Sequence, residues 1–301
     1  MIRMQNSSTR PAGAIVKKLL IFGLVAALLG CGVARLGYRN GETVTYWWLN
    51  SYIDFDGAQK SWVREHIDEL FRWHRRNELQ DYVQAIARMQ RRDLATITAD
   101  DLLRDYNEAK THILLIADRA VPDLAELALS LTPEQIANIQ KKFDKSNQKF
   151  RDDYLGGSDK EKQEFRYSKT MQKMEYWFGY FSREQEKKIR EASDARPLNN
   201  RLLMADRVQR QQALIAMLNK MQAEKPDQPA AEKMVRQYVA LTVDHFGDAN
   251  KQAYFEQYNL ATAKMVATTM HIATAKQHEH FIKVLQDWAT DFNRLAAEAK
   301  S

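Results

Sequence analysis

Few residues have types and spacings that could do chemistry: one cysteine, two close aspartates, a C-terminal histidine group, and a stripe of methionine and aromatic side chains. Cys31 is the only cysteine in 301 residues, and its thiol could be a nucleophile, a metal ligand, half of a disulfide or an attachment point. Asp54 and Asp56 have the spacing of a carboxylate pair. On a helix, however, residues two apart point to different faces, and two carboxylates offer too few oxygens for Ca²⁺. The turn- and cap-forming habit of Asp accounts for both. His271 and His278 stand seven apart, which is about 10 Å along a helix and too far to share a metal. His278 and His280 diverge in direction. The sequence carries no H-E-x-x-H, no G-x-S-x-G, no phosphate-binding glycine loop and no dinucleotide fingerprint. No metal site, cofactor or catalytic constellation is expected.

Two stretches read either as binding faces or as core. Tyr167, Met171, Met174 and Phe178 fall at i, i+4, i+7 and i+11. Flexible Met beside aromatics suits a face that accommodates partners, although the same spacing is that of an ordinary buried helix stripe. Tyr46, Trp47 and Trp48 open the most aromatic part of the chain, since four of the six tryptophans lie between residues 47 and 73. Trp and Tyr favour the headgroup level of a membrane, so these three are candidates for an interface belt. The bland reading packs Trp48, Tyr52 and Phe55 into the core.

The surroundings of Cys31 narrow its role. Arg3, Arg10, Lys17 and Lys18 precede an apolar run from Leu19 to Leu29, then Gly30. This is the layout of a secretory signal peptide, and the run is shorter than the ~20 residues a membrane-spanning helix needs. The tetrad Leu28-Leu29-Gly30-Cys31 resembles the lipobox of bacterial lipoproteins. The resemblance implies cleavage between Gly30 and Cys31, an S-diacylglycerol on the thiol and an acyl group on the new N-terminus. Gly rather than Asp at position 32 is, by analogy with the enterobacterial sorting rule, compatible with export to the outer membrane.

That leader also distorts the charge. Four of the 45 Lys and Arg and none of the Asp and Glu lie in residues 1–30, so the rest of the chain carries 41 against 39, a net +2 instead of +6. A nucleic-acid partner needs a basic patch, and none is expected. With 11 Gly and 6 Pro in the whole chain, a turn-rich β architecture is disfavoured.

Apolar periodicity is helical almost throughout. One helix is predicted from Trp62 through Tyr82 to Met89, and another opens at the capping box Thr98–Asp101 and should kink or end at Pro122. Further starts are predicted at Thr132-Pro133-Glu134-Gln135 and Ser182-Arg183-Glu184-Gln185, with a break at 193–200 and a helix over about 201–223. The expected architecture is all-α, an elongated multi-helix bundle or stacked hairpins. The expected divisions are a signal peptide at 1–30, a main helical domain at 31–223, a linker at 224–229 and a helical segment at 230–301 packed on the main domain.

Leu36-Gly37-Tyr38, Tyr46-Trp47-Trp48, Asp54-Phe55, Leu131-Thr132-Pro133-Glu134-Gln135 and Ala195-Arg196-Pro197-Leu198-Asn199-Asn200 resemble a family of Gram-negative lipoproteins of unknown function over about residues 31–245. The resemblance implies an envelope lipoprotein and carries no activity. Leu131-Thr132-Pro133-Glu134-Gln135 is also similar to the LTxxQ motif of Spy-like periplasmic chaperones; Phe181-Ser182-Arg183-Glu184-Gln185 departs from it at its first two positions. The expected function is therefore non-enzymatic: a lipid-anchored, periplasm-facing protein, in the inner leaflet of the outer membrane, that binds or assists envelope proteins. The alternative from another class is a cell-wall hydrolase using carboxylates such as Asp54, Asp56 or Asp194.

Overall fold

A computed structural model describes residue 38 and residues 40–299. Cys31, the expected Gly30–Cys31 cleavage position and the expected signal peptide at 1–30 lie outside the described residues. Eleven α-helices and no strand occur among the described residues. They are α1 Gly41–Ile53, α2 Gly57–Asn77, α3 Leu79–Gln90, α4 Ala99–Ser130, α5 Pro133–Tyr154, α6 Asp159–Phe178, α7 Arg183–Asp194, α8 Asn200–Glu224, α9 Gln228–Val243, α10 Ala249–Ile272 and α11 Ala275–Glu298. A 3₁₀ turn, His245–Gly247, joins α9 to α10.

Local chemistry starts most of these helices. Reciprocal capping boxes form at Asp56/Gln59, Thr98/Asp101, Thr132/Gln135, Ser158/Glu161, Ser182/Gln185 and Thr274/Gln277. Each satisfies two backbone donors that a helix start would otherwise leave open. Pro133 and Pro229 sit in first turns, where a missing N–H costs nothing.

The helices bury their apolar faces in two main clusters. Tyr46, Ile53, Phe55, Val63, Ile67, Val121, Ala125, Ile136, Ile139, Leu218, Met221 and Val235 build the first, drawn from α1, α2, α4, α5, α8 and α9. Leu94, Ile97, Met174, Phe178, Met265, Met270, Phe281 and Leu285 build the second, drawn from the α3–α4 loop, α6, α10 and α11. The 32 residues of α4 run between them, with Leu102 against the second cluster and Val121 to Ala128 in the first. The C-terminal helices take part in both, since α9 packs on α4 and α8, α10 on α4 and α7, and α11 on α3 and α6.

The structure corrects one sequence expectation and narrows two others. The single helix from Trp62 to Met89 is two helices, parted at Glu78, which is 3 % exposed and directs its carboxylate to His112 of α4 at 2.7 Å. A long-range hydrogen bond marks the break in a run whose local sequence would continue. Of the two outcomes expected at Pro122, a kink or an end, the end does not occur, since Pro122 lies inside α4. Val121 and Ala125 beside it are 1 % and 0 % exposed, and tertiary packing of this kind outweighs the ~3 kcal/mol that an internal proline costs. Between α8 and α9 only residues 225–227 are outside helices, because Asp227 caps α9 and places Gln228 and Pro229 in its first turn.

Candidate functional site

The predicted stripe of α6 is divided by its packing. Met174 and Phe178 are 3 % and 2 % exposed inside the second cluster, with the Phe178 ring stacked on Phe281 at 5.0 Å. As a partner-binding face these two are corrected to core, because α11 covers the end of α6 that carries them. Tyr167 and Met171, each 8 % exposed, pack against Ile189 of α7 and form part of a surface groove of about 310 Å³. Glu164, Ser168, Gln172, Glu175 and Glu186 complete its lining. Arg190 lies across Tyr167, its guanidinium carbon 3.7 Å from the ring centre, and pairs with Glu164 at 2.7 Å. The groove thus joins a Met and Tyr floor to an acidic rim, a combination suited to an apolar segment that carries Lys or Arg.

The aromatic cluster is divided in the same way. Tyr46 is 4 % exposed beneath Arg64, which stands 4.1 Å from its ring centre, and Trp48 is half-buried against Tyr52. Tyr46 is thereby corrected from interface candidate to core, because α2 covers it. Trp47 alone of the three points outward, at 60 % exposure.

The carboxylate candidates do not converge. The Asp56 side chain caps α2 by accepting from Gln59 N at 2.9 Å, Asp54 closes α1 in the left-handed region at φ 60°, and Asp194 is exposed at the end of α7. The histidines of the C-terminal region bond main-chain carbonyls: His271 that of Ile97 at 2.7 Å, His278 that of Met270 at 3.4 Å, and His280 that of Tyr176 at 3.0 Å. Among the described residues no three His, Cys, Asp or Glu are placed to hold a metal ion, and no helix is long and apolar enough to cross a membrane.

Sequence reading missed the way the capping glutamines work in pairs. Gln135 Nε2 donates to Gln59 Oε1 at 2.6 Å and Gln59 Nε2 to Gln135 Oε1 at 3.2 Å. Gln135 also reaches the Asp54 carbonyl and Gln59 the Ser130 carbonyl, each five residues before the partner glutamine. Gln185 and Gln277 repeat the arrangement: their amides exchange bonds of 2.7 and 3.3 Å, and they reach Ile272 O and Tyr180 O, again five residues before the partner. Two pairs of helix starts are thereby locked, one pair in each main cluster. The signal was an apolar residue, a Ser, Thr or Asp cap, then Gln three later, at Phe55, Leu131, Phe181 and Ala273. Irregular separations and the Asp and Ala variants hid it. Replacing Gln135 by Ala strands Gln59 and the Asp54 carbonyl in a buried setting, and should cost about 2 kcal/mol in chemical denaturation, since each stranded buried polar group costs roughly 1–3 kcal/mol. In a Gln59→Ala background the further loss should be much smaller; equal losses in both backgrounds would mean the two amides do not act together.

A polar network closes the end of the bundle where the described chain begins. Tyr38 packs on Phe71 and Phe292 and directs its hydroxyl to His74 Nδ1 at 2.6 Å; the His74 Nε2 lies 3.2 Å from the Tyr82 hydroxyl. Burial, then the nearby Arg75 and His112 charges, push the His74 imidazole down to about 4. Burial likewise raises the Tyr38 and Tyr82 phenols.

A second buried acid lies in α8. Asp206 is 0 % exposed; its Oδ1 meets His245 Nδ1 at 3.0 Å, and Arg210 Nη2 stands 3.0 Å from Oδ2 as an ion pair without hydrogen-bond alignment. His245 stacks on Phe255 at 4.0 Å and, with Phe246 and Gly247, runs three residues in succession through the left-handed region at φ 50°, 59° and 69°. Such conformations cost of order 1–2 kcal/mol for each non-glycine residue, so the Asp206–His245 bond and the ring stack hold a strained joint between α9 and α10.

No curated protein and no solved structure matches the chain at a significant level. The capped, helical stretch from the last turn of α1 through nearly all of α9 corresponds to a known family: over residues 51–242 the chain matches, and it belongs to, the family of unknown function DUF6279.

Proposed function

We propose that this protein is a lipid-anchored, periplasm-facing envelope lipoprotein that works by binding and not by catalysis. The observation that carries the binding reading is the groove between α6 and α7, with its Tyr167 and Met171 floor and its rim of Glu164, Glu175 and Glu186. Its occupant would be a segment of an envelope protein that presents apolar and basic side chains together. The anchoring reading rests on the charged and apolar leader ending in Leu28-Leu29-Gly30-Cys31. Tyr38 follows the lipidated cysteine by seven residues, a reach of at most about 25 Å. Because Tyr38 is docked on α2 and α11, that end of the bundle would stay close to the bilayer, by analogy the outer membrane's inner leaflet. Several acyl chains together make such attachment stable.

A photocrosslinking residue at exposed Gln172 should give adducts with a discrete envelope protein in intact cells, and Glu164→Lys with Glu186→Lys should abolish them. Adducts of the same pattern from a crosslinker at Lys141, on the distant α5, would defeat the groove assignment. For the anchor, Cys31→Ser should lose all incorporation of a fatty-acid probe and release the protein from the membrane fraction; equal labelling of variant and wild type would refute lipidation.

A further inference from the structure

Arg196 is 6 % exposed and has no carboxylate partner among the described residues. Its Nε donates to Ser193 O at 3.2 Å and its Nη2 to Ser193 Oγ and Thr170 Oγ1, both at 2.8 Å, while Nη1 makes no hydrogen bond among the described residues. Arg166 lies alongside: Nη1 donates to the Arg196 and Pro197 carbonyls at 3.0 and 2.9 Å, and its buried Nε has no partner. Two guanidinium groups therefore meet at the end of α7. The α7 C-terminus offers about half a negative charge, too little to balance two cations. Asp194, the carboxylate beside them, is exposed and meets Arg166 only through its main-chain oxygen at 3.5 Å. Burial holds both guanidinium groups below the ordinary arginine range, and for Arg166 the Arg196 charge adds to it.

Helix α10 packs on α7 and brings two phenols to the same end of it. The Tyr254 hydroxyl accepts from Asn199 N at 3.2 Å and so keeps its own proton to donate, and Tyr258 lies one turn on, its ring centre 5.9 Å from the Arg196 guanidinium carbon. The donors left over, Arg196 Nη1 and Arg166 Nε, with the phenol hydroxyls beside them and no carboxylate hydrogen-bonded to either guanidinium, suit the oxygens of phosphate. We propose that Arg166, Arg196, Tyr254 and Tyr258 form a binding site for a small, free oxyanion of the phosphate type. The enclosure of Arg196 excludes an intact bilayer surface. The site is independent of the α6–α7 groove, and the anchor is not needed for it.

Calorimetric titration of the full-length protein with inorganic phosphate, against chloride at matched ionic strength, should give saturable binding. Arg196→Met should weaken it at least tenfold, while Arg190→Gln, on the solvent side of α7, should leave it unchanged. If Arg196→Met fails to fold, Tyr258→Phe removes one hydroxyl alone and should weaken binding severalfold. Absence of saturable phosphate binding in the wild type, or equal binding in the Arg196→Met protein, would overturn the site. Displacement of phosphate by phosphatidylglycerol vesicles would overturn its assignment to a free anion and give it to a lipid headgroup.

Discussion

Replacing Arg210 by Met will lower the unfolding free energy by about 2–3 kcal/mol, below the range for a fully buried ion pair because the Arg210 side chain is 32 % exposed. Met keeps most of the aliphatic stem, so the loss isolates the charge. Asp206 is 0 % exposed and would retain His245 as its one polar partner. The same carboxylate holds the left-handed turn at His245 and Phe246, so loss of its balance also loosens the joint between α9 and α10. Adding Asp206→Asn to Arg210→Met should recover a large part of the loss, because it removes the stranded charge and keeps a polar group opposite His245. Denaturant unfolding of the three variants measures this; a loss below 1 kcal/mol for Arg210→Met would show that the pair contributes little.

Acid will destabilise the protein through His74. In the folded chain burial holds this imidazole at about 4, against 6.5 for the free side chain. Between those values the unfolded chain binds a proton that the folded chain refuses. The contribution is therefore complete above about pH 6.5 and lost progressively down to about pH 4. At 1.36 kcal/mol per unit the loss amounts to roughly 3 kcal/mol. Arg75, His112, Glu78, Tyr38 and Tyr82 all face this position, and carboxylates elsewhere also titrate toward the lower end of the window. The measurement is thus the difference between wild type and His74→Gln, followed by thermal unfolding from pH 7 to pH 4. The wild type should fall more steeply by about that amount; parallel curves would show that His74 accepts its proton without cost.

The two predictions concern residues of opposite legibility. His74 lies on a periodic apolar face, at the spacing that places Trp62, Val63, Ile67 and Phe71 in α2, so its burial follows from local pattern. Asp206 lies in α8 among Arg207, Gln209 and Arg210, and nothing in that stretch marks a fully buried acid. Its partner His245 is 39 residues away on another element. The same holds for the groove: Tyr167, Met171, Met174 and Phe178 are one stripe in sequence, and only the course of α7 and α11 leaves the first two, themselves largely buried, as the floor of a groove and closes the last two inside.

By itself the sequence determined the all-helical class, the capping boxes at Thr98, Thr132 and Ser182, and the break before Asn200. These depend on contacts within one turn of backbone, and a linear pattern records such contacts directly. Tertiary structure alone decided the interruption at Glu78, the passage of α4 through Pro122, the pairing of Gln59 with Gln135 and of Gln185 with Gln277, and the meeting of Arg166 with Arg196. Each of these depends on side chains at least thirty residues apart, or on packing strong enough to override a local preference. Their energies enter only once distant helices have packed and water has been excluded between them.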